Sequence, residues 1–273
     1  MERAIGVIDS GVGGLTVVLE LMRQLPKEKL IYLGDTARCP YGPRSAEEVK
    51  KFTWEMVDFL VEKNIKMLVI ACNTATAFTL KELQDKLDIP VIGVIQPGAR
   101  AAIKHTQNNH VGVIGTEGTV SSAAYTKELH KIKPELRVDS LACPLFVPMV
   151  EQGVRTGPKA ESVVEETLRP MEQNGMDTLI LGCTHYPLLK DTIQKVVGES
   201  VSVISSSEET AAETSTILDV HGLSSNREKS PIHQFYTTGD LDIFMEISKS
   251  IFEKDYALML TIQKVEITKS HKA

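Results

Sequence analysis

Two cysteines stand in matching positions. Cys72 follows Val69-Ile70-Ala71 and leads into Asn73-Thr74, while Cys183 follows Ile180-Leu181-Gly182 and leads into Thr184-His185. Each short apolar run has the pattern of a buried strand, and each is followed by small polar residues that suit a helix start. A thiol at a helix N-terminus faces unpaired backbone N–H groups and the positive end of the helix dipole. Both favour the thiolate and are expected to lower the pKa from about 8.5. Such a sulfur can serve as base, nucleophile or metal ligand. A free cysteine is also commonly just a small buried hydrophobe, a reading that weakens when two share one context. Cys39 and Cys143 each precede a proline and read as structural, with Cys39 a candidate to line a cleft.

The polar neighbours fit proton transfer. Asp9, at the end of the first strand pattern, is a candidate to accept or relay a proton near Cys72; the alternative is that it caps the helix starting near Gly14. His185 and Glu151 are the matching candidates for Cys183, though a histidine there also suits simple positioning of its loop. The loop Asp9-Ser10-Gly11-Val12-Gly13-Gly14 invites a dinucleotide reading, with Asp35 placed to meet a ribose. Thr16, however, occupies the position of the third glycine that motif needs. Glycines with Ser10 at a helix start suit a carboxylate instead. Asn73, Thr74, Thr76, Thr116, Thr119 and Thr184 add neutral donors after other strand patterns. Arg38 and Arg44 flank Pro40-Tyr41-Gly42, but solvated surface arginines are the commoner case. Cys183-x-His185 lacks the paired spacings of structural zinc sites and no H-E-x-x-H occurs, so no metal is expected.

Positioning these residues requires strands that end at them. Strand patterns fall at Ala4–Ile8, Leu30–Leu33, Met67–Ala71, Val91–Val94, Val111–Ile114, Arg137–Leu141, Thr178–Leu181, Val201–Ile204 and Gln234–Thr238. Helical patterns lie between them. The clearest is Ser45–Asn64, where Ser45 and Glu48 form a capping box and Val49, Phe52, Met56, Phe59 and Leu60 make an apolar face. Strands alternating with helices imply an α/β fold with mainly parallel sheets, in which ligands bind beyond the strands' carboxyl ends. Gly6-Val7-Ile8-Asp9-Ser10-Gly11 is similar to Gly112-Val113-Ile114-Gly115-Thr116, and the two cysteine segments are similar to each other. A weak internal repeat therefore predicts two similar halves facing across a cleft, each presenting one cysteine. The tail beyond Ser205 falls outside the repeat and reads as strand, helix, strand. It is assigned to the first domain, giving 1–95 plus 206–273 as one unit and 96–205 as an inserted second.

Bulk properties narrow the function classes. A chain of 273 residues, 42% hydrophobic and 24% charged, has the composition of a globular protein large enough for two domains. A formal net charge of -6 argues against nucleic acid or an anionic membrane as principal partner. No apolar run reaches the length of a membrane span, and the N-terminus lacks a signal-peptide pattern, so a cytoplasmic location is expected. Four cysteines without a C-x-x-C pair are expected to be reduced thiols.

Taken together, these motifs resemble the glutamate racemases of the bacterial cell-wall pathway over essentially the full length. The matching segments are Gly6 through Gly14, Gly34-Asp35 with Pro40-Tyr41-Gly42, and Ala71-Cys72-Asn73-Thr74-Ala75-Thr76. They continue with Cys143 through Pro148 leading to Glu151, and Leu181-Gly182-Cys183-Thr184-His185-Tyr186-Pro187. The resemblance implies two pseudosymmetric doubly wound α/β domains with the site between them. It also implies interconversion of L- and D-glutamate without pyridoxal phosphate, metal or nucleotide, for peptidoglycan synthesis, by an enzyme that often forms a homodimer. Carried to matching positions, it makes Cys72 and Cys183 the two acid/bases, Asp9 a support for the first, and His185 and Glu151 supports for the second. Asp9, Ser10, Tyr41, Gly42, Asn73, Thr74, Thr76, Thr116, Thr119, Thr184 and His185 are then the expected substrate contacts. Three rivals remain at this point: a two-cysteine racemase for another acid such as aspartate, a thiol hydrolase using Cys183 with His185, and a non-catalytic binder of acidic amino acids.

Overall fold

The structure, a computed structural model, describes residues 3–172, 174–252 and 259–267. Period-2 alternation sets the first strand. In β1 (Ile5–Asp9), Ile5 and Val7 belong to one apolar core and Ile8 to another, so both faces are covered. Around it, β2 (Leu30–Gly34), β3 (Met67–Ile70), β4 (Val91–Gly93), β9 (His233–Thr237) and β10 (Leu260–Lys264) complete a six-stranded sheet. Its order is β10-β9-β2-β1-β3-β4, and every neighbouring pair is parallel. A second sheet holds β5 (His110–Gly115), β6 (Arg137–Ala142), β7 (Thr178–Gly182) and β8 (Ser202–Ser205), in the order β6-β5-β7-β8, again wholly parallel. The segment β2-β1-β3-β4 repeats that order. The weak sequence repeat thus has a topological counterpart, and the two cysteines leave equivalent strands.

Helices cover both faces of each sheet, as parallel sheets require. On the first sheet, α1 (Leu15–Gln24), α10 (Ser207–Val220) and α11 (Leu241–Ile251) bury Val17, Val18, Leu21, Ala211, Leu218 and Phe244 in one core. On its other face, α2 (Ala46–Glu62) and α3 (Asn73–Lys86) bury Val49, Met56, Leu60, Ala75 and Leu83. The expected capping box starts α2: the Glu48 amide donates to Ser45 Oγ at 3.2 Å, and the Ser45 amide to Glu48 Oε2 at 3.1 Å. Of the expected apolar face, Val49, Met56 and Leu60 are buried and Phe52 and Phe59 are partly buried against the same core.

On the second sheet, α4 (Ile95–His105) and α6 (Ala124–Ile132) pack against one face through Ile95, Ala99, Ala102, Tyr125 and Leu129. The helices α7 (Phe146–Glu151), α8 (Pro158–Leu168) and α9 (Lys190–Val197) pack against the other. A five-residue helix, α5 (Glu117–Ser121), follows β5. The chain's tail returns to the first sheet, where β9 lies beside β2.

Candidate active site

The carboxyl ends of the two sheets meet. Thr184, just after β7, donates its hydroxyl to Asp9 Oδ1 at the end of β1 at 3.1 Å. Thr74, in the first turn of α3, shares a hydrogen bond with Thr116 after β5, 2.8 Å between hydroxyl oxygens. The Gly118 amide donates to the Gly42 carbonyl at 2.9 Å. Gly13 shows why the first loop is glycine-rich: a Cβ there would lie 2.5 Å from both Thr184 Oγ1 and His185 Nδ1, so any side chain would push the halves apart. Thr16, the residue that breaks the dinucleotide pattern, donates to the Gly13 carbonyl and to Thr184 O of the other half. The loop expected to cradle a carboxylate is therefore spent largely on inter-sheet packing.

Both sulfurs line one cavity between the sheets. Its volume is about 10 Å³, about the room a single water needs. The first half contributes Ser10, Tyr41, Gly42, Cys72, Asn73 and Thr74 to the wall; the second contributes Thr116, Cys183, Thr184 and His185. Pro40 and Val147 complete the wall. Neither was singled out as a contact in the sequence, because an apolar wall residue carries no chemical signal there.

Cys72 is the N-cap of α3, and its Sγ accepts from the Ala75 amide at 3.4 Å and lies 3.6 Å from Ser10 Oγ. The helix-start geometry is as expected, but its electrostatic consequence is corrected. Burial pushes the Cys72 thiol up to about 12, and the nearby Asp9 charge adds to this. The Ala75 and Ser10 hydrogen bonds only partly offset that cost. Desolvation wins. Asp9 itself is fully buried, and burial raises its pKa against the opposing His185 charge and the Gly11, Gly14 and Thr184 donors. It accepts from the Gly11 amide at 2.9 Å, so it organises the loop into α1 and ties it to Thr184.

Cys183 has a different neighbour. Its Sγ lies 3.9 Å from His185 Nδ1, and His185 Nε2 lies 2.6 Å from Glu151 Oε1 on α7. Burial alone would lower the imidazole pKa, but the hydrogen bonds to Cys183 and Glu151 outweigh it and lift the ring to about 10. A doubly protonated ring donates to both partners at once. Glu151 stands behind His185, outside the cavity wall, with 28% of its side chain exposed.

Asn73 carries a donor with no protein partner. Its Oδ1 accepts from the Tyr125 hydroxyl on α6 at 2.7 Å, which leaves its buried Nδ2 unpaired among the described residues. Because Asn73 lines the cavity, that Nδ2 is a donor free for a ligand. Tyr125 is a functional candidate that sequence reasoning missed. Thr119 stands behind the wall, bonded to Thr74 and Thr116 hydroxyls at 3.3 and 3.1 Å. Thr76 turns away and donates to the Ile70 carbonyl. Arg38 is held by Asp35 and Glu55 and stacks on Phe52 at 4.1 Å; Arg44 is exposed beside Glu48. Asp35 is buried and also accepts from Tyr41 and Thr238, which gives it a structural role. Among the described residues, no lysine or arginine belongs to the cavity wall.

Two parallel α/β lobes each present one thiol at the cavity between them. Residues 5–214 match the family model described as Asp/Glu/Hydantoin racemase, and the chain belongs to that family. Within it, the chain is 72% identical over 269 residues to a glutamate racemase of Oceanobacillus iheyensis, covering 98% of each. A crystal structure of a glutamate racemase isoform from Bacillus anthracis superposes with a TM-score of 0.92 at 50% identity, covering 97% of both chains. That of the Francisella tularensis glutamate racemase in complex with D-glutamate gives 0.88 at 36% identity, covering 97% of this chain and 98% of the other.

Proposed function

We propose that this chain is a glutamate racemase in which Cys72 and Cys183 exchange the α-proton from opposite faces. The observation that carries the reading is that two sulfurs from equivalent strands of separate sheets line one small cavity whose wall is rich in hydroxyl and amide groups. Inversion requires a proton to leave one face of the α-carbon and another to arrive on the opposite face, which a single side chain on one wall serves poorly. One sulfur, as thiolate, takes the proton: the C–H bond breaks and an S–H bond forms. The other, as thiol, delivers its proton to the opposite face and becomes the thiolate. The protonation states are then swapped, which readies the site for the reverse direction.

The carbanion has no electron sink, so the wall must stabilise it. Asn73 Nδ2 and the hydroxyls of Ser10, Thr74 and Thr116 supply donors for the carboxylates, while Thr184, whose hydroxyl is given to Asp9, is a contact by resemblance. Thr119 and Asp9 hold those donors in place. Thr76 is a contact by resemblance alone; its own hydrogen bond points it elsewhere. Burial raises the Cys72 pKa, which suits it to the role of proton donor in the first step. Glutamate is many times larger than a water molecule, so the halves open to admit it and close to exclude solvent. The moving bodies in this reading are residues 1–95 with 206–273, and 96–205. By resemblance to the family, the enzyme works without a cofactor in the cytoplasm, as a homodimer, and supplies D-glutamate for peptidoglycan.

The test is circular dichroism of L-glutamate incubated with purified, reduced protein and no added cofactor. The signal is expected to decay to zero, whereas L-aspartate under the same conditions keeps its signal. A lasting glutamate signal would remove the activity; decay of aspartate alone would reassign the substrate.

A further inference from the structure

Among the described residues, one group of three candidate metal ligands comes together. Cys39 Sγ, a carboxylate oxygen of Glu151 and a ring nitrogen of His185 all lie within 4.8 Å of one another. The three come from the loop after β2, the end of α7 and the loop after β7, so the cluster spans both halves. Cys39 and Glu151 are partly exposed while His185 is buried. Cys39 takes no part in the proton transfers proposed above, and its thiol contacts Glu151 Oε1 at 4.0 Å.

We infer that Cys39, Glu151 and His185 form an inhibitory site for a thiophilic divalent cation of the zinc type. Thiolate, imidazole and carboxylate are a donor set that zinc accepts in tetrahedral geometry, with ligand atoms roughly 3–4 Å apart and water in the remaining position. The present spacings, 2.6 Å for His185–Glu151 and 4.0 Å for Cys39–Glu151, bracket that range. Binding forms bonds to Sγ, Nε2 and Oε1 and releases two protons, one from the Cys39 thiol and one from His185 Nε2. The imidazole then keeps its Nδ1 proton toward Cys183 but no longer shares a proton with Glu151. The ion is no part of the reaction; it immobilises His185, whose Nδ1 lies 3.9 Å from Cys183 Sγ. That consequence rests on the proposed racemase mechanism, whereas the binding itself does not.

Cobalt(II) and zinc(II) titrations of the reduced, full-length protein separate the two. Cobalt is expected to give a thiolate charge-transfer band in the near ultraviolet that zinc abolishes, with zinc suppressing racemisation at least about tenfold. Cys39→Ser should lose the band and weaken zinc binding by more than about 100-fold, since even outer-shell partners are worth about 10–100-fold. It should also racemise in the presence of zinc. Glu151→Gln should weaken binding as well, by a separate ligand. Cys72→Ala and Cys183→Ala should keep the band even though they are inactive. If no racemisation is found in the parent, the band and its loss in Cys39→Ser still test the site. A band that survives Cys39→Ser but vanishes in Cys72→Ala or Cys183→Ala would put the metal between the paired sulfurs and overturn the inference, as would no band at all.

Discussion

The two sulfurs leave equivalent strands, yet their surroundings differ. Cys72 has a helix amide and a hydroxyl for company, in a pocket whose burial drives its pKa upward. Cys183 has an imidazole backed by a carboxylate. Backbone symmetry therefore places the groups, and local side chains make their surroundings unequal. A two-base reaction needs one thiol and one thiolate, because a site with two thiols or two thiolates at rest cannot start a cycle in either direction. The comparison also separates two kinds of company for a sulfur, backbone and hydroxyl donors on one side and a titratable partner on the other.

The largest expected effect comes from removing either sulfur. Cys72→Ala and Cys183→Ala should each cut racemisation by about 10²–10⁴-fold or more, the range of a general acid or base, with near-native circular dichroism of the protein. Any α-hydrogen exchange that survives should favour opposite enantiomers in the two variants. Full activity in either would take that cysteine out of the mechanism.

Next in size is the histidine. His185→Asn should lower the rate by about 100-fold, the low end of acid–base contributions. Glu151→Gln should lower it less, while moving the alkaline limb of the pH–rate profile to lower pH. The stability linkage has a definite sign. The folded pKa of His185, about 10, exceeds an unfolded value of about 6.5. Its contribution is thus complete below about pH 6.5 and is lost as pH rises through about 10. Urea unfolding between those limits should show the parent's stability falling more steeply than that of His185→Asn; parallel slopes would argue that the ring is not held as a cation.

The smallest effect tests the donor side. Tyr125→Phe removes the hydroxyl that fixes Asn73 Oδ1, so the amide can turn its other end to the cavity. KM should rise by about tenfold, equivalent to about 1.4 kcal/mol of one hydrogen bond, with kcat less affected. An unchanged KM would leave Tyr125 a packing residue.

Much of this is legible in the sequence. Central parallel strands are continuous apolar runs, so β1, β3, β5 and β7 were located within one residue at each end, and the cysteines that follow them came with them. The Ser45–Glu48 box is a local interaction and was equally readable. Tertiary quantities were not. The rise in the Cys72 pKa reflects its burial and the nearby Asp9 charge, which no local pattern encodes. Gly13 looked like an anion cradle because its crowding by Thr184 and His185 depends on residues far along the chain. Tyr125 meets Asn73 across 52 positions and Cys39 meets Glu151 across 112, so neither pairing leaves a trace in spacing. Thr76 was grouped with the donors by type, and only the fold shows its hydroxyl turned back to Ile70.

The paired-sulfur mechanism is tested most directly by following L-glutamate in deuterated water at early times by mass spectrometry with chiral separation. The account predicts D-glutamate that carries deuterium at the α-carbon from the first turnovers, while recovered L-glutamate stays unlabelled. D-glutamate that keeps its original α-hydrogen, or substrate labelled as fast as product, would contradict it.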